Sequence, residues 1–340
     1  MLSVASVKPN GKRAPALLLA ALLVCLAVAF LIHLGLGGGT LGLGKVLHEL
    51  FAGDTGLEPD NLIIWRIRLP RTIACVLVGA LLSMVGSAFQ ALFRNPLAEP
   101  YIVGVSSGAA AGGALAMVLG FAEAFSGLGL MAASFIGGLL SLAFVFMLSS
   151  RRGHIAVETL LLAGVVVGAF LSALVSFLII SSGNNPMEVL RWLLGSMTPM
   201  YWNRIDMMAV ILIVGGAILV LQSKGMNAFA VGEDTAQRLG VNTRRLKPLL
   251  LVTGTAMVSV AVGSVGVIGF VGLAAPHLAR RILGVDWRVS LAGAGLCGAV
   301  LMLAADLAAQ HFVSNAELPV GVVTALLGAP FLLLLIKRKG

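Results

Sequence analysis

Long apolar segments, separated by short charged ones, form the main pattern of this chain. Nine long stretches contain no Asp, Glu, Lys or Arg, and a helix needs about 20 apolar residues to cross a bilayer. The stretch 248–279 exceeds one crossing and contains Gly263 and Gly266, so we expect it to turn back and cross twice. The pattern predicts an all-α polytopic membrane protein with ten transmembrane helices, at 14–36, 72–93, 100–120, 126–149, 157–181, 204–222, 248–264, 267–283, 289–309 and 318–336.

The positions of the basic residues orient these helices. Lys and Arg concentrate in the cytoplasmic loops of membrane proteins. Ten helices place the basic clusters at Arg94, at Arg151 and in 224–247 on one side, together with both ends of the chain. Nine helices would put the basic segment 337–339 on the opposite side. We therefore expect both termini in the cytoplasm, and we expect the first apolar run, which is too long for a cleaved signal, to remain as a helix.

Composition excludes a water-soluble globule. Of 340 residues, 59% are hydrophobic and 11% are charged, whereas roughly 25% are charged in a typical soluble domain. The net charge of +9 would suit a nucleic-acid partner only if it formed a basic face with aromatic residues. Because Lys and Arg occur in short clusters between apolar runs, we predict contact with membrane lipid and none with nucleic acid. Gly104, Gly108 and Gly112 have the spacing of a tight contact between helices.

The sequence contains no recognisable catalytic or metal-binding pattern. Three cysteines lie singly in apolar runs, and five histidines are scattered without zinc-type spacing. The segment 39–46 matches a phosphate-binding loop except at Val46, which lacks the hydroxyl group that would bind Mg²⁺. We therefore predict no enzyme activity, no cofactor and no metal site. Asp306 is the one acid well inside an apolar run, and we favour an interhelical hydrogen bond or a helix cap for it over ion coupling.

Three polar segments interrupt the apolar pattern. The outer segment 45–71 contains several arginines, which indicate either docking of an acidic partner or side chains that snorkel at a helix end or pair with nearby acids. The segment 185–200 is too polar to cross and predicts a short helix on the outer surface or a plain connector. The loop 224–247 is longer than a connection needs, which indicates contact with a cytosolic partner or a solvated basic loop.

A series of motifs runs in order along most of the chain. They are Arg68-Leu-Pro-Arg71, Gln90-Ala-Leu-Phe-Arg-Asn-Pro-Leu-Ala-Glu-Pro100, Gly104-Val-Ser-Ser-Gly108, Leu160-Leu-Leu-Ala-Gly164, Trp192-Leu-Leu-Gly195, Gly232 to Gly240, Gly269-Phe-Val-Gly-Leu-Ala-Ala-Pro-His277, Ala305-Asp306, Glu317-Leu-Pro-Val-Gly321 and Gly328-Ala-Pro330. Together they resemble the permease subunits of binding-protein-dependent ABC importers for iron-siderophores, haem and cobalamin.

This resemblance implies an architecture and a set of partners. The family fold is the type II ABC importer permease, with ten transmembrane helices per subunit in the bacterial inner membrane. Two permease copies, expected here as a homodimer, enclose the translocation path. Two cytosolic ATP-binding subunits drive the importer, and an extracytoplasmic binding protein delivers the ligand. Transport proceeds by alternating access, without chemistry on the ligand.

The resemblance also implies a docking site on the outer face. Arg68 and Arg71 match outward arginines that, in the cobalamin member, pair with glutamates of the binding protein. Gln310 stands where a third arginine of that set belongs, so Arg66 or His311 is expected to substitute for the missing charge.

Two further sites follow from the same motifs. The residues expected to contact the ATPase are Gly232, Glu233, Ala236, Leu239 and Gly240. The residues expected at the gate or along the translocation path are Val157, Glu158, Gly164, Gly168 and Trp192. The cobalamin member has small hydroxyl residues at its gate, where this chain has Val157 and Glu158, so the same gate is not predicted.

Other classes of protein remain as alternatives. An ion-coupled secondary transporter would need paired acids or broken helices around a midplane site, and Asp306 alone does not meet that requirement. An intramembrane enzyme would need converging His, Asp or Glu side chains inside the helices. ABC permeases for manganese or zinc match different motifs and usually have fewer helices. The sequence does not decide between siderophore, haem and cobalamin.

Overall fold

A computed structural model describes residues 13–37, 41–56, 58–151, 154–183, 186–313 and 317–337. Some predictions concern residues outside these ranges. They are the cytoplasmic placement of the two chain ends, the first residue of the segment 185–200, and part of the phosphate-loop pattern at 39–46.

Fifteen α-helices account for most of the described chain. They are α1 (Arg13–Leu36), α2 (Leu43–Ala52), α3 (Pro59–Ile63), α4 (Leu69–Leu92), α5 (Val105–Val118), α6 (Ala124–Ser149), α7 (Val157–Ser181), α8 (Pro186–Leu193), α9 (Trp202–Leu221), α10 (Ser223–Val231), α11 (Glu233–Arg238), α12 (Thr243–Val265), α13 (Val271–Leu283), α14 (Trp287–His311) and α15 (Val320–Lys337). A π-helical segment, Ile64–Arg68, joins α3 to α4, and a 3₁₀ turn, Pro100–Val103, precedes α5. The strands of the described ranges, β1 (Ser150–Arg151) and β2 (His154–Ile155), form one antiparallel pair.

Within the described ranges, seven helical segments are long and apolar enough to cross a membrane. They are Pro15–Leu36, Pro59–Leu92, Gly127–Ser149, Val157–Ser181, Trp202–Leu221, Thr243–Val265 and Trp287–His311. Val105–Val118 and Val320–Pro330 are shorter apolar helices, and α13 has 13 residues. The all-helical polytopic architecture is therefore observed, while the count of ten crossings stays a prediction.

The structure extends one predicted helix well beyond its apolar run. The sequence places the start of the second crossing at residue 72, but α3, the π-helical segment and α4 form one continuous helix, Pro59–Leu92, of 34 residues. An uncharged run in the sequence ends at every arginine. Arg66, Arg68 and Arg71 therefore make this helix look shorter in the sequence than it is. The outer arginines therefore stand on a helix and not in a loop.

Helix α4 lies at the centre of the fold and is buried along nearly all of its length. It packs against α14 with backbones in contact, because a Cβ atom added at Gly79 would clash with the carbonyl of Gly298. A Cβ atom at Gly86 would likewise clash with the carbonyl of Gly272 in α13. Glycines therefore allow the close approach of helices in this core, as in other membrane proteins.

The predicted glycine face of α5 also makes a helix contact. A Cβ atom at Gly108 would meet the carbonyl of Gly137, and one at Gly112 would meet the carbonyl of Ala133, both in α6. Gly104 precedes α5 with φ of 76°, a conformation that favours glycine, and its carbonyl accepts a 2.8 Å hydrogen bond from the hydroxyl group of Ser141. The spacing of these glycines therefore reports packing between α5 and α6.

Candidate functional site

A buried ion pair joins α4 to α14 near their outer ends, as the predicted topology orients them. Arg71 Nε donates to Asp306 Oδ2 at 2.8 Å, and the Nη2 atom donates to Oδ1 at 3.0 Å. Arg71 is 7% exposed and Asp306 is 1% exposed. A two-point contact between guanidinium and carboxylate is the strongest ion-pair geometry available to these groups. Asp306 thus makes the interhelical contact that the sequence favoured for it.

Four more residues join this pair to form what we call the outer cluster: His33, Arg71, Thr72, Asp306, Gln310 and Glu317. His33 Nε2 lies 2.9 Å from Asp306 Oδ2, and its Nδ1 atom lies 2.9 Å from the hydroxyl oxygen of Thr72. Gln310 Nε2 donates to Asp306 Oδ2 at 2.8 Å. The cluster therefore ties α1, α4 and α14 together through one carboxylate.

A group of potential metal ligands overlaps the outer cluster and is better explained as a polar network. Ligand atoms of His33, Cys75 and Asp306 lie within 4.8 Å of one another, and all three residues are buried. The Asp306 oxygens, however, already accept hydrogen bonds from Arg71 and Gln310. A metal cation at this point would face a guanidinium group bound to the same carboxylate, so the arrangement favours a charge-paired network.

A cavity of about 240 Å³ lies over the outer cluster. Its polar lining includes Arg68, Arg71, Gln310 and Glu317. Arg71 Nη1 donates to both carboxylate oxygens of Glu317, at 3.1 and 3.0 Å, and the Glu317 side chain is 52% exposed. Arg71 therefore lies between a buried acid and an exposed one.

The residues predicted to dock a partner differ in exposure. Arg68 is buried and donates to the carbonyls of Leu34 and Gly35, each at 3.2 Å, and Arg71 is buried in the outer cluster. Both arginines are therefore largely covered in the single chain, although both line the cavity over the outer cluster. Arg66 is exposed and pairs with Asp54 at 3.0 Å.

The two remaining docking candidates lie on the last turn of α14. Gln310 binds Asp306 within the outer cluster, and the exposed His311 ring bonds to the carbonyl of Leu307 at 2.9 Å. Arg66 is thus the exposed arginine of the predicted docking set, and docking stays a prediction for all of its members.

The predicted coupling residues form a short, well-anchored unit between α10 and α12. Gly232 has φ of 154° and separates α10 from α11. Glu233 pairs with Lys247 at 2.6 Å, and Ala236 is fully buried. Leu239, by contrast, is 69% exposed, and Gly240 follows it with φ of 81°. The unit therefore holds one large apolar side chain on the surface.

The predicted gate and path residues lie on or near α7. Glu158 is exposed in the first turn of α7, and Val157 is half-buried. Gly164 and Gly168 face the turn before α5, and the Trp192 ring packs on Gly113. The opposite side of α7 exposes a row of large apolar side chains: Leu162, Val165, Val166, Phe170, Leu174, Phe177 and Ile180. The path itself stays a prediction that requires a second copy of the chain.

A half-buried carboxylate that sequence reasoning did not single out lies next to the start of α13. Glu99 Oε1 accepts a 3.1 Å hydrogen bond from the backbone N–H of Phe270, a residue with φ of 66°. Burial raises the pKa of Glu99 to about 7, although the Phe270 N–H group lowers it in part. Only the position of Glu99 in the motif that ends at Pro100 could have indicated a role for it.

Comparisons with known proteins agree with this fold. The chain matches the FecCD transport family over residues 25–338. It is 39% identical to the hemin transport system permease protein HmuU of Yersinia pestis, over 97% of this chain and 98% of the relative. It is also 39% identical to the cobalamin import system permease protein BtuC of Halobacterium salinarum, over 83% of this chain and 75% of the relative.

Solved structures show the same likeness. A structure described as an inward-facing conformation of a metal-chelate type ABC transporter superimposes with a TM-score of 0.84, at 32% identity, over 95% of this chain and 99% of the other. PsaBC from Streptococcus pneumoniae, in complex with Fab, has a TM-score of 0.58 at 18% identity, over 81% of this chain and 92% of the other. The second likeness concerns the fold alone.

The fold and these likenesses define a multi-pass permease of the inner membrane. The chain belongs to the FecCD transport family.

Proposed function

We propose that two copies of this chain form the membrane pathway of an ABC importer for a bulky metal chelate or corrinoid. The proposal rests on the extent of the family match, residues 25–338. Relatives named for cobalamin and for hemin are similarly close, at 39% identity each. The ligand class is therefore cobalamin, haem or a ferric siderophore.

The exposed Leu239 is the observation that carries the coupling part of this proposal. A large apolar side chain on a charged loop is costly to leave in water, and buried Ala236 together with the Glu233–Lys247 pair holds the loop in one shape. An exposed leucine on a loop of fixed shape could bind in an apolar groove of a cytosolic ATPase subunit. ATP-driven movement of that groove would then shift the helices by biasing two packing states.

The outer face of the permease has a groove that suits the docking of a binding protein. Arg66 lies on a groove with Tyr201 and Trp202, and aromatic residues with arginine are typical of protein interfaces. A ligand-loaded binding protein with acidic side chains would dock there, next to the cavity over the outer cluster.

An ion-coupled secondary transporter is disfavoured by the chemistry of Asp306. A coupling carboxylate must exchange its ion or proton during each cycle, whereas both oxygens of Asp306 hydrogen-bond to Arg71 and one also to Gln310. The likeness to PsaBC concerns the fold alone, so it does not favour a manganese or zinc permease.

Proteoliposomes that contain the permease, its ATPase partner and its binding protein test the ligand class. Cyanocobalamin, haemin and a ferric siderophore are supplied in turn, and we expect ATP-dependent uptake of one of the three. Uptake of none of them, with free manganese or zinc transported instead, would overturn the ligand assignment.

Leu239→Ser tests the coupling role in the same vesicles. We expect normal amounts of permease but a loss of most uptake per ATP hydrolysed. Val285→Ser is a matched control, because Val285 is 71% exposed but lies outside the coupling loop, by which we mean residues 232–240. Equal uptake by both variants would contradict the role of Leu239.

A further inference from the structure

The segment that leads into the coupling loop is attached to one long helix of the membrane domain. Asn227 lies on α10, shortly before Gly232, and its Nδ2 atom donates to Asp286 Oδ1 at 2.8 Å. The Asn227 Oδ1 atom accepts a 3.0 Å hydrogen bond from the backbone N–H of Trp287. The Asn227 side-chain amide therefore both donates a hydrogen bond to the start of α14 and accepts one from it.

These contacts lie at the cap of α14, where a helix presents unpaired N–H groups. Asp286 is the N-cap residue, and its Oδ1 atom also accepts from the Arg288 N–H at 3.0 Å. The buried Trp287 ring lies under the guanidinium group of Arg280, 5.2 Å from the ring centre. The start of α14 is therefore fixed on several sides, and Asn227 is its contact with the coupling segment.

The coupling loop and α10 are themselves held together. Lys247 Nζ, which pairs with Glu233 in α11, lies 5.8 Å from the centre of the Phe229 ring in α10. Phe229 and Met226 are buried against the membrane domain. A force on Leu239 would therefore reach Asn227 through a short, packed unit.

Helix α14 continues without a proline from Trp287 to His311. Asp306 is 19 residues beyond Trp287, which corresponds to about 28 Å along a helix. At that end Asp306 binds Arg71 of α4 and His33 of α1. One helix thus connects the contact of Asn227 with the outer cluster.

We propose that Asn227 is a positioning residue that joins the coupling loop to α14, so that displacement of the loop by the ATPase moves the outer cluster. This inference rests on the proposed coupling function of Leu239. Loss of the amide leaves each part folded but separates the movement of the loop from that of α14.

A graded set of variants tests this role in the complete transporter. Asn227→Ala removes both hydrogen bonds to the start of α14, and Asp286→Ala removes one of them. Asp286→Asn is the matched control, because its side-chain oxygen still accepts from Asn227 and from the Arg288 N–H. ATP hydrolysis is measured with and without the binding protein. We expect Asn227→Ala to keep the basal rate of ATP hydrolysis within twofold of the wild type and to lose at least three-quarters of the stimulation by the binding protein. Asp286→Ala should lose an intermediate part of this stimulation, and Asp286→Asn should lose none.

A distance measurement separates coupling from simple destabilisation. Phe312 lies just beyond the end of α14 and Phe125 at the start of α6. Both residues are exposed, so a spin label can be attached at each. In the wild-type complex we expect ATP binding to change the distance between these labels, and in Asn227→Ala we expect that change to disappear. A merely structural role would lower assembly, basal hydrolysis and stimulation in proportion.

The outcomes distinguish the two levels of the proposal. If the wild-type complex shows stimulation and a distance change, and Asn227→Ala shows both unchanged, the role of Asn227 is wrong while the proposed function stands. If the wild-type permease forms no complex with an ATPase, the proposed function itself fails.

Discussion

The Arg71 guanidinium group binds both oxygens of the Asp306 carboxylate, at 2.8 and 3.0 Å, across 235 positions of the chain. His33 and Gln310 bind the same carboxylate, so the charges are paired and hydrogen-bonded on several sides. Burial of an ion pair is costly unless the geometry is this complete. The pair therefore fixes how α1, α4 and α14 meet.

Removal of one member of this pair should destabilise the permease strongly. Asp306→Ala leaves the buried guanidinium group of Arg71 without its main partner, and we expect a loss of about 3–5 kcal/mol in the free energy of unfolding. Reversible unfolding in mixed detergent micelles measures this loss. The double variant Arg71→Met with Asp306→Leu should lose less than the sum of the two single changes, because it leaves no buried charge without its partner.

The exposed pair of Arg66 and Asp54 is the control for that experiment. Arg66→Met should change the free energy of unfolding by less than about 1 kcal/mol, because exposed ion pairs contribute little. An equal loss for Asp306→Ala and Arg66→Met would show that the outer cluster does not hold the helices together.

Substitution of the glycines between helices should distinguish packed sites from open ones. Gly79→Ala places a methyl group against the backbone of Gly298, and overpacking of this kind costs about 1–3 kcal/mol or more. Gly44→Ala meets no atom within 4 Å and should be neutral or slightly stabilising, because alanine favours the helix. Thermal unfolding in detergent measures both changes, and an unaltered midpoint for Gly79→Ala would contradict the close packing of α4 on α14.

The pKa of Glu99 predicts a dependence of stability on pH. Burial raises this pKa from 4.5 to about 7, so between these values the folded protein retains a proton that the unfolded chain has released. Stability should therefore fall as the pH rises from about 4.5 to 7, by up to about 3 kcal/mol in total, and then level off.

Glu99→Gln is the matched variant for that measurement. Its side chain is neutral throughout and still accepts the hydrogen bond from the Phe270 N–H, so this component of the pH dependence should vanish. Unfolding curves collected at several pH values test it. Identical profiles for the wild type and Glu99→Gln would show that Glu99 titrates normally.

Arg66 should contribute to association with the binding protein through its charge. Arg66→Glu should weaken the affinity about tenfold at low ionic strength, and the difference should shrink at high salt because exposed charges are screened. Titration of the permease in nanodiscs with the binding protein measures this effect. Arg66→Lys keeps the charge and should bind nearly normally, and a salt-independent affinity in all three proteins would argue against electrostatic docking at this position.

Much of the fold follows from the sequence because lipid imposes simple rules. A chain in a bilayer must satisfy its backbone groups internally, so apolar runs become helices, and the long runs at α1, α6 and α7 lie where the apolar pattern places them. The apolar pattern makes the helix Pro59–Leu92 too short, because arginines within a helix resemble a loop when their partners are unknown.

The candidate site was only partly predictable for the same reason. Asp306 stood out as an acid in an apolar run, but its partners Arg71 and His33 are 235 and 273 positions away. One sequence contains no signal that links such distant residues. The predicted coupling residues follow from a local motif, whereas the contacts of Asn227 and Glu99 are formed only in the folded chain.

Energy dependence of uptake tests the central claim of this account most directly. Proteoliposomes containing the permease, its ATPase partner and its binding protein receive ATP without an ion gradient, and matched vesicles receive a proton or sodium gradient without ATP. We predict chelate uptake only with ATP and only with all three components. Gradient-driven uptake by the permease alone would contradict its assignment to an ABC importer.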